Sequence, residues 1–272
     1  MNEINRQIAE AFSRIRQTKP LIHHITNLVV MNDTANVTLH LGALPVMAHA
    51  HEEVAQMTRM AGALVLNIGT LTSSWIESMR IAGRAANEVG IPIVLDPVGA
   101  GATAFRTQMS HFLLKELKIA ILRGNAGEIG ALSGAGGQVK GVESIEGVAD
   151  PAAVALEMAR ELGTVVVIGG KRDILSDGSR VLGVDNGHTW LTKITGTGCM
   201  ATTAVAAFAA VERDHLIAAA GGLACFGLAA ELAAQKASGP ASFKVALLDQ
   251  IYNLQPEQFA AGAKVVELAG AA

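Results

Sequence analysis

The sequence predicts an α/β fold built around a mostly parallel central sheet. Four short runs of valine, isoleucine and leucine recur along the chain, and each ends in glycine, asparagine or aspartate. Such runs are typical of strands that are buried on both faces. Helical patterns lie between them, and this alternation implies right-handed crossovers within one parallel sheet. The predicted strands fall within residues 63–69, 91–101, 119–125 and 164–170.

The helices are predicted from apolar spacing and from their end signals. Residues 150–163 are the clearest case, because Asp150 suits the N-cap, Pro151 the first turn and Gly163 the position after the end. Further helices are expected at residues 3–17 (ended by Pro20), 74–90 and 106–117, and through the Ala-rich stretch 199–237.

Two segments depart from this alternation. Residues 134–147 are rich in glycine and are interpreted as a surface excursion. Residues 179–193 are predicted to form two short strands around a turn at residues 185–188. Neither segment has the features of a boundary between domains, so one domain is expected to span residues 1–272.

Composition narrows the possible functions. Half of the 272 residues are apolar and 17% are charged, which is enough apolar material for a large core. The net charge of −3 and the 4% of aromatic residues argue against nucleic-acid or membrane-surface binding. Two cysteines, no signal-peptide pattern and an apolar run at 201–211 too short to cross a bilayer favour the cytoplasm. The scarcity of charge also favours a surface buried between subunits.

Polar residues and glycines follow the predicted strands, at the sheet edge where open α/β folds bind ligands. Asp96 and Glu128 could hold magnesium through water, since this ion prefers oxygen ligands. Each could instead be structural, Asp96 in a turn and Glu128 in the first turn of a helix. Together they favour a polyphosphate site. The residues at these ends are Asn67, Gly69, Thr70, Asp96, Pro97, Val98, Gly99, Gly101, Arg123, Asn125, Glu128, Gly169, Gly170, Lys171 and 195–199.

The glycine turn TGTGC at residues 195–199 opens a long apolar helix. Amide groups and the dipole at a helix N-terminus favour an anion, and glycines let a phosphate approach closely. The turn is neither a G-x-x-x-x-G-K-[ST] loop nor G-x-G-x-x-G. Close packing of a helix on a sheet would also explain its small residues, so the turn indicates phosphate binding only in combination with the strand ends.

These motifs resemble a known family. TGTGC is similar to the anion-hole signature of ribokinase-like kinases, which usually reads G-A-G-D, and RGNAGE at 123–128 is similar to their N-x-x-E magnesium motif. Longer blocks resemble the hydroxyethylthiazole kinase family of thiamine salvage, and the resemblance runs from about residue 8 to residue 250. These blocks are residues 21–36, 42–57, 61–71 and 94–103.

The resemblance implies a ribokinase-like three-layer α/β/α sandwich without the lid of sugar kinases. It implies transfer of the γ-phosphoryl group of ATP to the primary hydroxyl of 4-methyl-5-(2-hydroxyethyl)thiazole, with Mg²⁺ required. It also implies a homotrimer with active sites at subunit boundaries. The alternatives are hydroxymethylpyrimidine or pyridoxal kinase activity, which PVMAHAHEEV at 45–54 disfavours, and a nucleotide-binding module without catalysis, which the retained site residues disfavour.

The resemblance also assigns roles to residues of this chain. The thiazole is expected beside Met47, Gly196 and Asn27, the nucleotide beside Arg123, Gly169 and Gly198, and the magnesium beside Asp96, Asn125 and Glu128. Gly169 is a departure, because the family often has Thr or Ser there. A backbone amide or water must replace that hydroxyl, and Lys171 is expected to add a compensating phosphate contact.

Cys199 stands where the wider superfamily has an aspartate that accepts the proton of the substrate hydroxyl, and thiazole kinases commonly have cysteine. Positioning outweighs base strength in phosphoryl transfer, so the exchange is tolerable. A helix N-terminus lowers the pKa of a thiol and a nearby γ-phosphate raises it, which leaves the net sign open. We interpret Cys199 as the catalytic residue, a weak base or hydroxyl anchor; a packing role, as expected for Cys225, is the alternative.

Overall fold

A computed structural model describes residues 3–134, 138–140, 143–146 and 149–268, of which 138–140 and 143–146 are described by backbone alone. A nine-stranded sheet crosses the protein. Its strands are β1 Leu21–Ile25, β2 Leu44–Val46, β3 Ala63–Asn67, β4 Ile93–Asp96, β5 Ile121–Asn125, β8 Val165–Gly169, β9 Asp173–Ser176, β10 Val181–Val184 and β11 Val265–Leu268. They lie in the order β11-β10-β9-β8-β5-β4-β3-β1-β2. A separate antiparallel pair consists of β6 Gln138–Lys140 and β7 Glu143–Glu146.

In the large sheet, the six neighbouring strands β2, β1, β3, β4, β5 and β8 pair in parallel. Strands β9, β10 and β11 continue the sheet from β8 in antiparallel pairs. The helices are α1 Glu3–Thr18, α2 Met31–Leu41, α3 Val54–Arg59, α4 Ser73–Val89, α5 Ala104–Glu116, α6 Ala126–Ser133, α7 Pro151–Leu162, α8 Thr197–Ala209, α9 His215–Ala234, α10 Pro240–Asn253 and α11 Pro256–Gly262. The carboxyl ends of the parallel strands therefore meet at one edge, where α8 begins.

Helices cover both faces of the sheet, so the predicted three-layer α/β/α class is confirmed. Alternate residues of one strand enter different cores: Val65 packs with α1, α8 and α9, whereas Leu64 and Leu66 pack with α4 to α7. This is the pattern of a strand buried on both faces. The four strands predicted from apolar runs all form. The predicted helices form too, but the stretch 199–237 is divided into α8 and α9 by the non-helical residues 210–214.

The segment 179–193 contains one strand, not the two that its alternation predicts. Residues 181–184 form β10, but Thr189–Lys193 is a 3₁₀ helix. The His188 ring accepts a hydrogen bond from the Trp190 amide, and the Trp190 ring packs edge-on against Phe243. This local cap and aromatic contact outweigh the strand pattern. Much of the Gly-rich segment 134–147 lies outside the described residues.

Helix α9 is long and apolar enough to cross a membrane, but 89% of that stretch is buried within the fold. It packs against α8 and α10. Close approach to α8 depends on Gly222, since a Cβ there would lie 2.5 Å from the Val205 backbone. In this structure α9 is therefore a core helix.

Candidate active site

Polar side chains from three neighbouring strands meet the start of α8. Asn27, which follows β1, donates from Nδ2 to Asn67 Oδ1 at 2.9 Å. Asn67, the last residue of β3, donates from Nδ2 to Asp96 Oδ2 at 2.9 Å and lies 3.2 Å from Cys199 Sγ. Asn27 Nδ2 lies 3.5 Å from the same sulfur. Two amides and one carboxylate thus surround a single thiol.

The Asp96 carboxylate is buried at the end of β4. Thr202 donates to its Oδ2 at 2.8 Å. Burial raises the pKa of Asp96, while the positive charge of Arg123 and hydrogen bonds from Thr202, Asn67 and the Cys199 thiol act to lower it. Thr202 follows Cys199 by three residues, so both side chains lie on one face of α8.

The Cys199 thiol is neutral near pH 7. Burial, followed by the negative charge of Asp96, raises its pKa to about 12, despite the Asn67 and Asn27 amides and the charge of Arg123. The protein surroundings of Cys199 alone therefore favour the protonated thiol. The helix N-terminus predicts some thiolate, but burial beside a carboxylate disfavours the anion more strongly.

Glu128 joins the loop after β4 to the start of α6. Its Oε1 accepts a hydrogen bond from the Gly99 amide at 2.7 Å, and its Oε2 accepts one from the Asn125 amide at 2.8 Å. Asn125 Oδ1 accepts from the Glu128 amide at 2.9 Å in return, which completes a capping box. Burial and the nearby Asp96 charge raise the pKa of Glu128 to about 7.

Two buried carboxylates that repel each other would be stabilised by a cation. Both oxygens of Glu128 already accept backbone amides, which favours water-mediated over direct contact with a metal. Across the parts of the chain that the structure describes, no three His, Cys, Asp or Glu side chains are grouped to hold a metal ion directly. Asp96, Asn125 and Glu128 supply only oxygen ligands, so the site fits hydrated Mg²⁺.

The Arg123 guanidinium lies between two glycines. A Cβ on Gly198 would lie 2.9 Å from Nη1, and a Cβ on Gly169 would lie 3.2 Å from Nη2. The Nε of Arg123 is buried and has no hydrogen-bond partner among the described residues. The missing side chain at Gly169 therefore leaves room for this guanidinium as well as removing a hydroxyl.

The turn before α8 requires glycine at Gly196. Its φ of +82° is in the left-handed region, and a Cβ would lie 2.2 Å from Cγ1 of Val30. Gly196 is also the N-cap of α8 and provides no side-chain cap. The first amide groups of this helix are thus the donors that a bound anion would satisfy.

Met47 and Lys171 also follow the carboxyl ends of parallel strands, but not those of the strands that carry Asn27, Asn67 and Asp96. Met47 is half-buried and directly follows β2, the edge strand beside β1. Lys171 is exposed in the turn between β8 and β9. Within the described residues, neither side chain hydrogen bonds to the group around Cys199.

Sequence reasoning missed Thr202 and Asp173, and it named Asn67 only as one of the residues at the strand ends. Thr202 had a detectable signal in its spacing from Cys199. Asn67 stands at a predicted strand end, but its sequence position gives no sign that it bridges a carboxylate and a thiol. Asp173 lies three residues past the predicted strand 164–170, beyond the strand-end residues that the sequence singled out. Its Oδ1 accepts the Gly170 amide at 3.0 Å, and it interacts electrostatically with Arg123.

Comparison with known proteins gives concordant results. The profile of the hydroxyethylthiazole kinase family matches residues 12–257. Hydroxyethylthiazole kinase of Roseiflexus sp. (strain RS-1) is 70% identical over 267 residues, covering 98% of this chain and 99% of that protein. The enzyme of Desulforudis audaxviator (strain MP104C) is 67% identical over 268 residues, covering 98% of each chain.

Solved structures agree with this similarity. Hydroxyethylthiazole kinase protein from Pyrococcus horikoshii OT3 superposes with a TM-score of 0.89 at 47% identity, covering 97% of this chain and 99% of that one. Pyridoxal kinase from Staphylococcus aureus in complex with pyridoxal has a TM-score of 0.60 at 17% identity, covering 78% of this chain and 87% of that one. The second likeness concerns the fold alone.

Alkylation of Cys199 by iodoacetamide tests its protonation state. Because the thiolate is the nucleophile, the rate is expected to rise about tenfold per pH unit between about pH 7 and pH 10, without a plateau. Mass spectrometry of the Cys199 peptide measures this rate. Cys225, which is fully buried with a pKa also raised to about 12, is the internal control for unfolding. A plateau below about pH 9 would show that the thiol ionises far more easily than its surroundings imply.

Proposed function

Because this chain belongs to the hydroxyethylthiazole kinase family, we infer that it transfers the γ-phosphoryl group of ATP to the hydroxyl of hydroxyethylthiazole, a step of thiamine salvage. The observation that supports this activity most directly is the 70% identity to a relative of that name over almost the whole of both chains. The site geometry adds the residues that we propose carry out the transfer.

The turn at the start of α8 is the proposed cradle for the transferred phosphoryl group. The amides from Gly196 to Cys199 lie at the start of α8, which has no side-chain cap, and such amides suit charge that develops on phosphoryl oxygens. Arg123 and the backbone of Gly169 and Gly198 are proposed to bind the ATP phosphates. Arg123 suits this task because its Nε is a buried donor without a partner among the described residues.

Cys199 is the proposed catalytic residue, in the role of hydroxyl anchor. In this role the thiol would donate its hydrogen to Asp96, and the sulfur would accept a hydrogen bond from the substrate hydroxyl. The high pKa of the thiol argues against a preformed thiolate base. A loose transition state needs the hydroxyl aligned more than it needs strong base catalysis, so an anchor can suffice.

Asn27, Met47 and Gly196 are the proposed contacts for the thiazole. Asn27 supports this assignment because its amide lies against the Cys199 sulfur. A bulkier residue at Gly69 would displace Asn27, since a Cβ there would lie 2.7 Å from the Asn27 Cβ. Met47 lies at the end of the neighbouring edge strand and offers a flexible apolar surface for a ring.

Asp96, Asn125 and Glu128 are the proposed holders of Mg²⁺, through water. When bound, this ion would neutralise negative charge on the nucleotide phosphates. Glu128 has a second task that needs no metal, because its carboxylate holds the Gly99 amide and so fixes the loop after β4. Asp96 likewise fixes Asn67 and Thr202 around the thiol.

The proposed location is the cytoplasm, and the proposed assembly is a homotrimer with sites at subunit boundaries. Both cysteines are free, as expected in a reducing compartment. Leu28 and Val29, which directly follow Asn27, are 66% and 62% exposed. Two large apolar side chains at the rim of the site suit burial by a neighbouring subunit.

A coupled assay with ATP, Mg²⁺ and hydroxyethylthiazole tests the activity and the role of Cys199. Phosphorylation is expected only with Mg²⁺ present. Cys199→Ala is expected to lower kcat by about 10²-fold or more without unfolding, and Cys199→Asp to retain or raise kcat. The matched control, Cys225→Ala, removes the other thiol and should leave kcat near wild type. An inactive but folded Cys199→Asp enzyme would contradict the assigned role, and no product from the wild-type enzyme would contradict the activity.

Substitution of Gly169 tests the placement of Arg123. Gly169→Ala is expected to raise the KM for ATP several-fold, because the added methyl group displaces the guanidinium. Gly239→Ala is the control, since a Cβ there would meet no atom within 4 Å. Lys171→Ala should also raise this KM if the exposed amine contacts a phosphate. An unchanged KM for ATP in Gly169→Ala would refute the contact of Arg123 with the nucleotide, and an unchanged KM in Lys171→Ala would refute that of Lys171.

The molar mass in solution tests the proposed assembly. Light scattering is expected to give three times the chain mass of 28.1 kDa. Leu28→Glu should lower both this mass and the activity, because a charge would enter the proposed interface. Val89→Glu is the control. Val89 is 46% exposed, but it is the last residue of α4, which leads back to the amino end of β4. A monomeric wild-type enzyme with full activity would overturn this proposal.

A further inference from the structure

Arg106, near the start of α5, is a half-buried arginine whose guanidinium donates to backbone carbonyls. Nη1 donates to Val98 O at 2.6 Å and to Ile68 O at 3.1 Å, and Nη2 donates to Gly69 O at 2.6 Å. These carbonyls belong to the loops after β3 and β4. One side chain therefore spans the two strand ends that carry Asn67 and Asp96.

The peptide group between Ile68 and Gly69 is held at both ends. Its carbonyl accepts the bond from Arg106, and its N–H donates to Asn67 Oδ1 at 3.0 Å. The same Oδ1 accepts from Asn27, while the Asn67 amide nitrogen contacts Asp96 and Cys199. Arg106 is thus one peptide group away from the side chain that orients the thiol.

The peptide group between Val98 and Gly99 is held in the same way. Its carbonyl accepts from Arg106 at 2.6 Å, and its N–H donates to Glu128 Oε1 at 2.7 Å. Gly99 has a φ of +77°, and a Cβ there would lie 3.0 Å from Cδ of Arg106. The loop therefore fits closely around the arginine stem.

We propose that Arg106 is a positioning residue of the kinase, which holds two peptide groups against Asn67 and Glu128 and so fixes the arrangement around Cys199. The inference rests on the proposed function of that site. Arginine suits the task because its planar fork can reach three carbonyls at once, and bonds from a charged donor are strong. Lysine at this position would keep the charge but not the fork.

The kinetic test compares Arg106→Lys and Arg106→Ala with Arg84→Ala. Arg84 pairs with Glu116 and also links α4 to α5, but among the described residues it forms no hydrogen bond with either loop. Both Arg106 variants should fold and lose kcat by about 10-fold to 10²-fold, with smaller changes in KM, because small displacements of reacting groups are costly. Guanidinium ion below denaturing concentrations should partly restore Arg106→Ala, whereas Arg84→Ala should resemble wild type.

A second readout is independent of the kinase reaction. Released loops should expose Cys199, so its iodoacetamide alkylation should be several-fold faster in both Arg106 variants than in Arg84→Ala. This holds even if the wild-type enzyme does not phosphorylate the thiazole, so a failed function and a failed inference are distinguishable. If Arg106→Ala does not fold, Arg106→Lys decides the question. Wild-type kcat together with wild-type alkylation in Arg106→Lys would overturn the proposal.

Discussion

The hydrogen bonding of the buried Asp96 carboxylate is the interaction on which the rest of the site depends. A buried carboxylate is costly unless donors surround it. Here the donors come from separate elements: Asn67 at the end of β3, and Thr202 and Cys199 on α8. Satisfying Asp96 therefore aligns the strand ends with the start of α8. Burial, together with this negative charge, keeps the thiol protonated, so the packing that forms the site also sets the chemistry of Cys199.

The parallel sheet brings these groups together, and glycines allow the final approach. The carboxyl ends of neighbouring parallel strands lie side by side, so Asn27, Asn67 and Asp96, at or just after the ends of β1, β3 and β4, lie close together. Gly69 makes room for Asn27, and Gly196 makes room for Val30 while it turns the chain into α8. Arg123 likewise occupies space that Gly169 and Gly198 leave open. The polar cluster is thus a product of tight backbone packing as much as of charge.

The sequence predicts the scaffold of this site better than its internal contacts. The central strands and capped helices are recognisable because local signals agree with the final fold, as at Asp150 and Gly163. Strands β2, β9 and β11 lie at or near the edges and lack long apolar runs. The spacing of Thr202 from Cys199 indicates a shared helix face, but not its bond to Asp96, 106 positions away. The bond from Arg106 to the Ile68 carbonyl, 38 positions away, has no sequence motif. The pKa of Cys199 depends on burial, which spacing alone does not give.

A crystal structure with a nonhydrolysable ATP analogue, Mg²⁺ and hydroxyethylthiazole would test the central claim most directly. The account predicts terminal phosphate oxygens against the amides of Gly196 to Cys199, with the substrate hydroxyl within hydrogen-bond reach of the Cys199 sulfur. A nucleotide bound at the amino ends of the strands, or a hydroxyl directed away from Cys199, would contradict it.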